Sequence, residues 1–162
     1  MTRGTTDPEE LTAFARSIVD DNAYMTLGTA DENGVPWATP VWFAHVEYRE
    51  FIWVSRPSAR HSQNVAARAD VGIVIFDSRV APGDGQALYM AASAAQVAEA
   101  DRGRAIAVFA RRSAEQDAGT FTLADVEGEA ALRLYHAVAS EHFVLAANDE
   151  RLRTVILRPC FV

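Results

Sequence analysis

The strand-like runs of this chain arrive in adjacent pairs joined by short polar turns, and that pairing limits the fold more than any other feature. Tyr24-Met25-Thr26-Leu27-Gly28-Thr29 reads as a strand. Asp31-Glu32-Asn33-Gly34 follows it, with Asn-Gly as the hairpin signal, and a second strand-like run extends from Val35 to Val46. Tyr48-Arg49-Glu50 turns the chain back into Phe51-Ile52-Trp53-Val54. Leu132 to Val138 and His142 to Ala147 read as another hairpin around Ser140-Glu141, with a turn at Asp149-Glu150 and a closing strand from Thr154 to Leu157. Val71 to Phe76 is a continuous apolar run, the pattern of a strand buried on both faces. Ala87 to Ala98 is rich in alanine, but its approach from Gly85 and its Leu88-Tyr89-Met90 cluster favour a strand.

Helices sit between and around these pairs. Thr6-Asp7-Pro8-Glu9 has the order of a capping box. Leu11, Phe14, Ala15, Ile18 and Val19 then share one face, up to an end near Asp20 to Asn22. Ser58 to Ala69 reads as a short helix entered after Pro57, Asp101 to Arg112 as a helix capped by Asp101, and Thr122 to Val126 as a short capped turn. About seven strands in hairpin order, with three or four helices, define a mainly β fold: an antiparallel barrel with helices at its ends. The 162 residues, 49% hydrophobic, suit a single domain spanning 1–162.

Charge and composition exclude several functions. A net charge of −7 argues against general nucleic-acid binding and against a basic membrane-surface module. No apolar run approaches the roughly 18–20 residues of a membrane helix. Met1 to Glu10 is polar and acidic, unlike a signal peptide, so a cytoplasmic protein is expected. The chain has no lysine, which removes Schiff-base and P-loop chemistry. A single cysteine, Cys160, allows no internal disulfide, and the histidines lack the spacing of a metal site.

One stretch departs from the acidic average. Phe51 to Ala69 holds no Asp or Glu, yet carries Arg56, Arg60, Arg68, His61, Ser55, Ser58 and Ser62. Much of it lies where a strand ends and a helix begins, and a helix N-terminus favours an anion. Arginine adds a forked donor suited to phosphate oxygens. The plainer alternative is a surface helix with solvated arginines. Just upstream, Trp37-Ala38-Thr39-Pro40-Val41-Trp42-Phe43 places Pro40 inside a strand, which requires an edge or a bulge. Trp37, Trp42 and Trp53 offer flat surfaces for a planar ligand, or else fill a core or a subunit interface.

These segments in order resemble the pyridoxamine 5′-phosphate oxidase-like family, the FMN-binding split β-barrel superfamily. The likeness rests on Thr39-Pro40-Val41-Trp42-Phe43, on Trp53-Val54-Ser55, and on Ser58-Ala59-Arg60-His61-Ser62-Gln63-Asn64, and covers about Thr6 to Val97. It implies an FMN-dependent oxidoreductase, a homodimer with flavin at the subunit interface, a small-molecule substrate and an electron donor. By position, Thr39, Pro40, Val41 and Trp42 would line the isoalloxazine and ribityl chain. Val54 and Ser55 would flank the ribityl-phosphate, Arg60 and His61 would grip the phosphate, and Asn64 would order the site. Gln86 falls near a glutamine that the family often places by the cofactor. His61 stands where the family commonly has lysine. Leu152 to Val162 lacks the signature for pyridoxamine phosphate, so a different substrate is expected. A reductase using the deazaflavin coenzyme F-420, and a non-catalytic flavin- or haem-binding module, are the alternatives.

Overall fold

The computed structural model describes residues 7–81, 85–145 and 153–155. Helix α1 (Pro8–Asp20) opens the chain. Its N-cap is Asp7, whose carboxylate accepts the Glu9 N–H at 3.0 Å, and proline fits the first turn because its missing N–H has no helical partner there. The apolar residues Leu11, Phe14, Ala15, Ile18 and Val19 are all buried, as their spacing requires.

Strands β1 (Tyr24–Ala30) and β2 (Pro36–Trp42) form the hairpin announced by Asn33-Gly34. The Asp31 carboxylate accepts the N–H groups of Asn33 and Val35, each at 2.9 Å, and Gly34 adopts a φ of 83° that a side chain would resist. The long run to Val46 is not one strand. It breaks at Phe43, and β3 (Ala44–Val46) pairs instead with β4 (Glu50–Ser55). Helix α2 (Arg60–Ala67) then leads to β5 (Asp70–Phe76), β6 (Ala87–Gln96), α3 (Arg102–Glu115), β7 (Arg133–Leu145) and β8 (Arg153–Val155). The eight strands make one antiparallel sheet in the order β2-β1-β5-β6-β7-β4-β3, with β8 on β7. The sheet curls so that β2 comes back against β4, giving the split-barrel form.

Four expectations need correction. β5 is not buried on both faces: Val71, Ile73 and Ile75 point into the core, while Asp70, Gly72 and Phe76 are exposed on the other side. The expected hairpin from Leu132 is not found: Arg133–Leu145 is one strand, and Ala146 and Ala147 lie outside the described residues. Ser140-Glu141 is a bulge within the single strand β7, where the register with β6 shifts by one residue, and Ser140 Oγ bonds the Ala91 carbonyl at 3.1 Å. Asp101 makes no side-chain cap to α3, because a 3-10 turn over Glu99–Asp101 runs directly into the helix. The reading of Thr6 to Glu9 as a capping box gives way to the Asp7 cap, and Thr6 lies outside the described residues. The turn at Asp149-Glu150 and the end of the closing strand also lie outside them.

Two cores result. The larger fills the curl with Met25, Leu27, Phe43, Phe51, Trp53 and Ile73 under α1 and α2. The smaller joins Ile52, Leu134 and Ala44 on the outer side of β4 and β7 to Ile106 and Phe109 of α3. No helix among the described residues is long and apolar enough to cross a membrane.

Candidate functional site

The end of β4 and the start of α2 form a compact polar corner. Ser55, the last residue of β4, and His61, in the first turn of α2, are both buried, with Ser55 Oγ and His61 Nε2 hydrogen-bonded at 2.7 Å. Burial pushes the His61 pKa below its ordinary value, so the imidazole is neutral at neutral pH. It offers a hydrogen bond and no charge. The positive charge at this corner comes from Arg60 and Arg56, both exposed.

The N-terminus of α2 has no side-chain cap, because Ala59 occupies the N-cap position, and no acid lies in its first turn. Its first N–H groups are thus left for solvent or an anion. Arg60 lies over the half-exposed indole of Trp37, 4.5 Å from the ring centroid, a cation–π contact that joins α2 to strand β2. Farther into the helix, Asn64 Nδ2 donates to Thr29 Oγ1 at 2.9 Å, and Thr29 Oγ1 donates to the Trp37 carbonyl at 3.4 Å. One helix face therefore fixes both strands of the first hairpin.

β2 is the outermost strand beside β1, which is where a proline at position 40 is tolerated. Val41 points into the core, whereas Pro40 is exposed on the outer face. Thr39 faces inward opposite Leu27, and its buried hydroxyl has no hydrogen-bond partner among the described residues. The buried Ser62 hydroxyl on α2 is unsatisfied in the same way. Unmet buried polar atoms close to an uncapped, acid-free helix start fit a polar ligand with an anionic end.

The remaining expected residues lie elsewhere. Trp42 packs on α3, 4.7 Å from Phe109 edge-on, and its Nε1 donates to Gln116 Oε1. Val54 joins that same outer cluster. Gln86 lines a small pocket with Ser17, Asp21, Asn22 and Asp77, at the end of the sheet where Ala87 pairs with Phe76. That end is roughly 13 Å along β5 from the Gly28–Gly72 pair, at the usual strand rise. Thr29 was missed by sequence reasoning; its link to Asn64 depends on how α2 packs, and no local motif marks it. Trp53 is wholly buried in the larger core. No group of three or more candidate metal ligands occurs among the described residues.

The single curled antiparallel sheet, with β2 brought back against β4 and helices packed around it, defines a split β-barrel. The sequence pattern of pyridoxamine 5′-phosphate oxidase matches residues 11–134. The chain belongs to that family. Among curated protein sequences, none matches. Solved structures match over nearly the whole chain at low identity. A heme binding protein from Mycobacterium smegmatis superposes with a TM-score of 0.71 at 16% identity, covering 96% of this chain and 59% of that one. HutZ, the heme storage protein from Vibrio cholerae, gives 0.63 at 19% identity over 85% of this chain and 92% of its own. A putative pyridoxamine 5′-phosphate oxidase from Listeria innocua gives 0.61 at 14% identity, over 86% and 99%. At these identities the likeness concerns the fold. This chain spans well under two thirds of the mycobacterial protein.

Proposed function

We propose that this protein is an FMN-dependent oxidoreductase that acts on a small molecule other than pyridoxamine phosphate. The observation that carries this reading is the uncapped, acid-free start of α2, set between Arg60 and the buried Ser55–His61 pair. The phosphate would rest on the first N–H groups of α2 and on Arg60, with Ser55 and neutral His61 completing the hydrogen bonds. Thr39 would satisfy its hydroxyl on the ribityl chain along β2. Bound flavin supplies hydride or electron transfer to a substrate, fed by a separate electron donor. The chain's own task is to hold, orient and shield it, and no acid–base dyad is needed at the corner.

A second copy would cover the open sheet face. Tyr24 is 62% exposed and Phe76 48%, and they share the outer face with Val74, Tyr89 and Phe143. Val74, Tyr89 and Phe143 are half-buried between them, and a contiguous, partly exposed apolar row of this kind suits an interface. The homodimer would place that face against its own copy, with the edge strand β2 beside it.

Haem binding is the second reading, favoured by the two haem proteins named among the structural matches. Adding FMN, coenzyme F-420 or hemin in turn to the purified protein, and recording the visible spectrum, separates the three. Saturable binding of FMN at micromolar concentration supports the proposal. A protein that ignores FMN and binds hemin stoichiometrically overturns it in favour of a haem module.

A further inference from the structure

The turn between β3 and β4 stores backbone strain. Glu47 and Tyr48 lie consecutively in the left-handed region, with φ of 52° and 58°, and the Arg49 N–H donates back to the Val46 carbonyl at 3.0 Å. A hairpin turn of this hand is normally built from Asn and Gly, since a side chain at positive φ is strained. Neither residue here is glycine, so the surroundings must hold the turn.

They do so by gripping Tyr48. Its N–H donates to His45 Nδ1 at 3.3 Å, and its carbonyl accepts from His142 Nε2 at 3.0 Å. Its hydroxyl donates to Asp20 Oδ2 at 3.0 Å, at the end of α1. The ring lies tilted against His45 with centroids 4.5 Å apart, and the Arg16 guanidinium sits 5.3 Å from its centre. His45 Nε2 in turn lies 3.4 Å from Asp20 Oδ1.

We propose that this turn is a pH-sensitive clasp: His45 holds the Tyr48 N–H only while its Nδ1 is unprotonated, and acidification releases that N–H and loosens the strained turn while the Tyr48 hydroxyl stays on Asp20. Nδ1 can accept the Tyr48 N–H only through its lone pair. The single ring proton then sits on Nε2, facing Asp20. A second proton sets N–H against N–H and breaks the contact. His142 is a fixed pin by comparison, because its Nε2–H still donates to the Tyr48 carbonyl in the charged form.

The groups facing His45 set where the clasp opens. Asp20 on α1 favours the imidazolium. Burial, together with Arg112 and Arg111 on α3, opposes it, and the net effect holds the His45 pKa below its ordinary value. Arg16 on α1 adds a positive charge over Tyr48, and Phe51 on β4 contributes only its ring, 6.3 Å away. His142 on β7 is itself held neutral by burial, with Arg49 adding to that effect. Arg112 also donates to the carbonyls of Asp20 and Asn22, at 3.2 and 3.4 Å, so the end of α1 stays moored to α3 when the Tyr48 N–H is released.

The clasp is independent of any cofactor and is tested on the full-length protein by NMR, following the Tyr48 backbone amide and the histidine ring signals from about pH 7.5 to about pH 5. The Tyr48 amide should move with the same midpoint as the His45 ring. His45→Gln, whose amide oxygen still accepts a hydrogen bond but does not titrate, should abolish that step. Asp20→Asn removes the carboxylate that favours the charged ring, so both midpoints should fall together. His61→Gln should leave the step in place. A Tyr48 amide that stays still while His45 titrates, a step that persists in His45→Gln, or midpoints that separate in Asp20→Asn would each overturn the proposal.

Discussion

Ser55 Oγ and His61 Nε2 lie 2.7 Å apart, both buried, where β4 hands the chain to α2. The pair closes the floor of the proposed phosphate corner without placing a charge in it. The desolvation that would make a buried imidazolium costly is thereby avoided, and the exposed arginines carry the charge instead.

A neutral His61 makes stability depend on pH in a definite direction. Its folded-state pKa is lowered by burial. Its contribution is therefore intact above the unfolded value of about 6.5, and is lost as pH falls from there through the lowered folded value. His61→Gln should lose less stability than the parent protein between about pH 7 and about pH 5, as read by urea unfolding at each pH. Equal losses would show that the ring charges freely in the fold.

Glu50 ties three elements together. Its carboxylate accepts from Nη1 and Nη2 of Arg104 at 2.7 and 2.8 Å, and bonds His136 Nδ1 at 2.8 Å. Arg104→Ala should cost about 1 kcal/mol, since the arginine is half exposed and solvent screens the pair. The Arg104 hydrogen bonds hold the Glu50 carboxyl below its ordinary pKa. The contribution is thus full above about pH 4.5 and lost as pH falls through the lower folded value. Urea unfolding of the two proteins at neutral and acid pH should show the gap closing at low pH.

The first hairpin depends on Gly34. Its φ is 83°, and a Cβ there would meet nothing within 4 Å, so the penalty for a side chain is one of backbone conformation alone. Gly34→Val should destabilise by about 1–2 kcal/mol. Gly72 sits in ordinary strand geometry with open space, and Gly72→Ala should be near neutral in a thermal melt made in a Phe76→Asp background, where the proposed interface is removed.

The open sheet face predicts a surface mutation that acts only on assembly. Phe76→Asp replaces a half-exposed ring on the face proposed to meet a second copy. Light scattering should show a dimer for the parent protein and a monomer for the variant, while circular dichroism stays the same. A parent protein that is monomeric at tens of micromolar, a concentration at which interfaces of standard size are normally occupied, would remove the shared interface from the account.

Much of the fold can be read from local signals. Asn33-Gly34, the strand-like run Tyr24 to Thr29 and the helical spacing of α1 each act over a few residues, and all three gave elements close to those found. Ser140-Glu141 misled because a polar pair within a long strand looks the same whether it turns or bulges; only the register with β6 decides. The apolar run of β5 looked doubly buried because Gly72, Val74 and Phe76 on its outer face are as apolar as Val71, Ile73 and Ile75 in the core. In the candidate site, Ser55, Arg60 and His61 are close in sequence and were legible. Trp42 and Gln86 were placed by position in a motif, and their neighbours, Phe109 and Asp77, come from packing that no motif encodes.

Paired titrations with FMN and riboflavin, which differ only in the phosphate, test the central claim most directly, on the parent protein and on Arg60→Ala. The corner at Ser55, Arg60 and His61 predicts that FMN binds far more tightly than riboflavin. Arg60→Ala should weaken FMN by about 1.5–3 kcal/mol, the range for a charge-assisted hydrogen bond, and leave riboflavin unchanged. Equal affinity for the two flavins in the parent protein would contradict the assignment of this corner as a phosphate site.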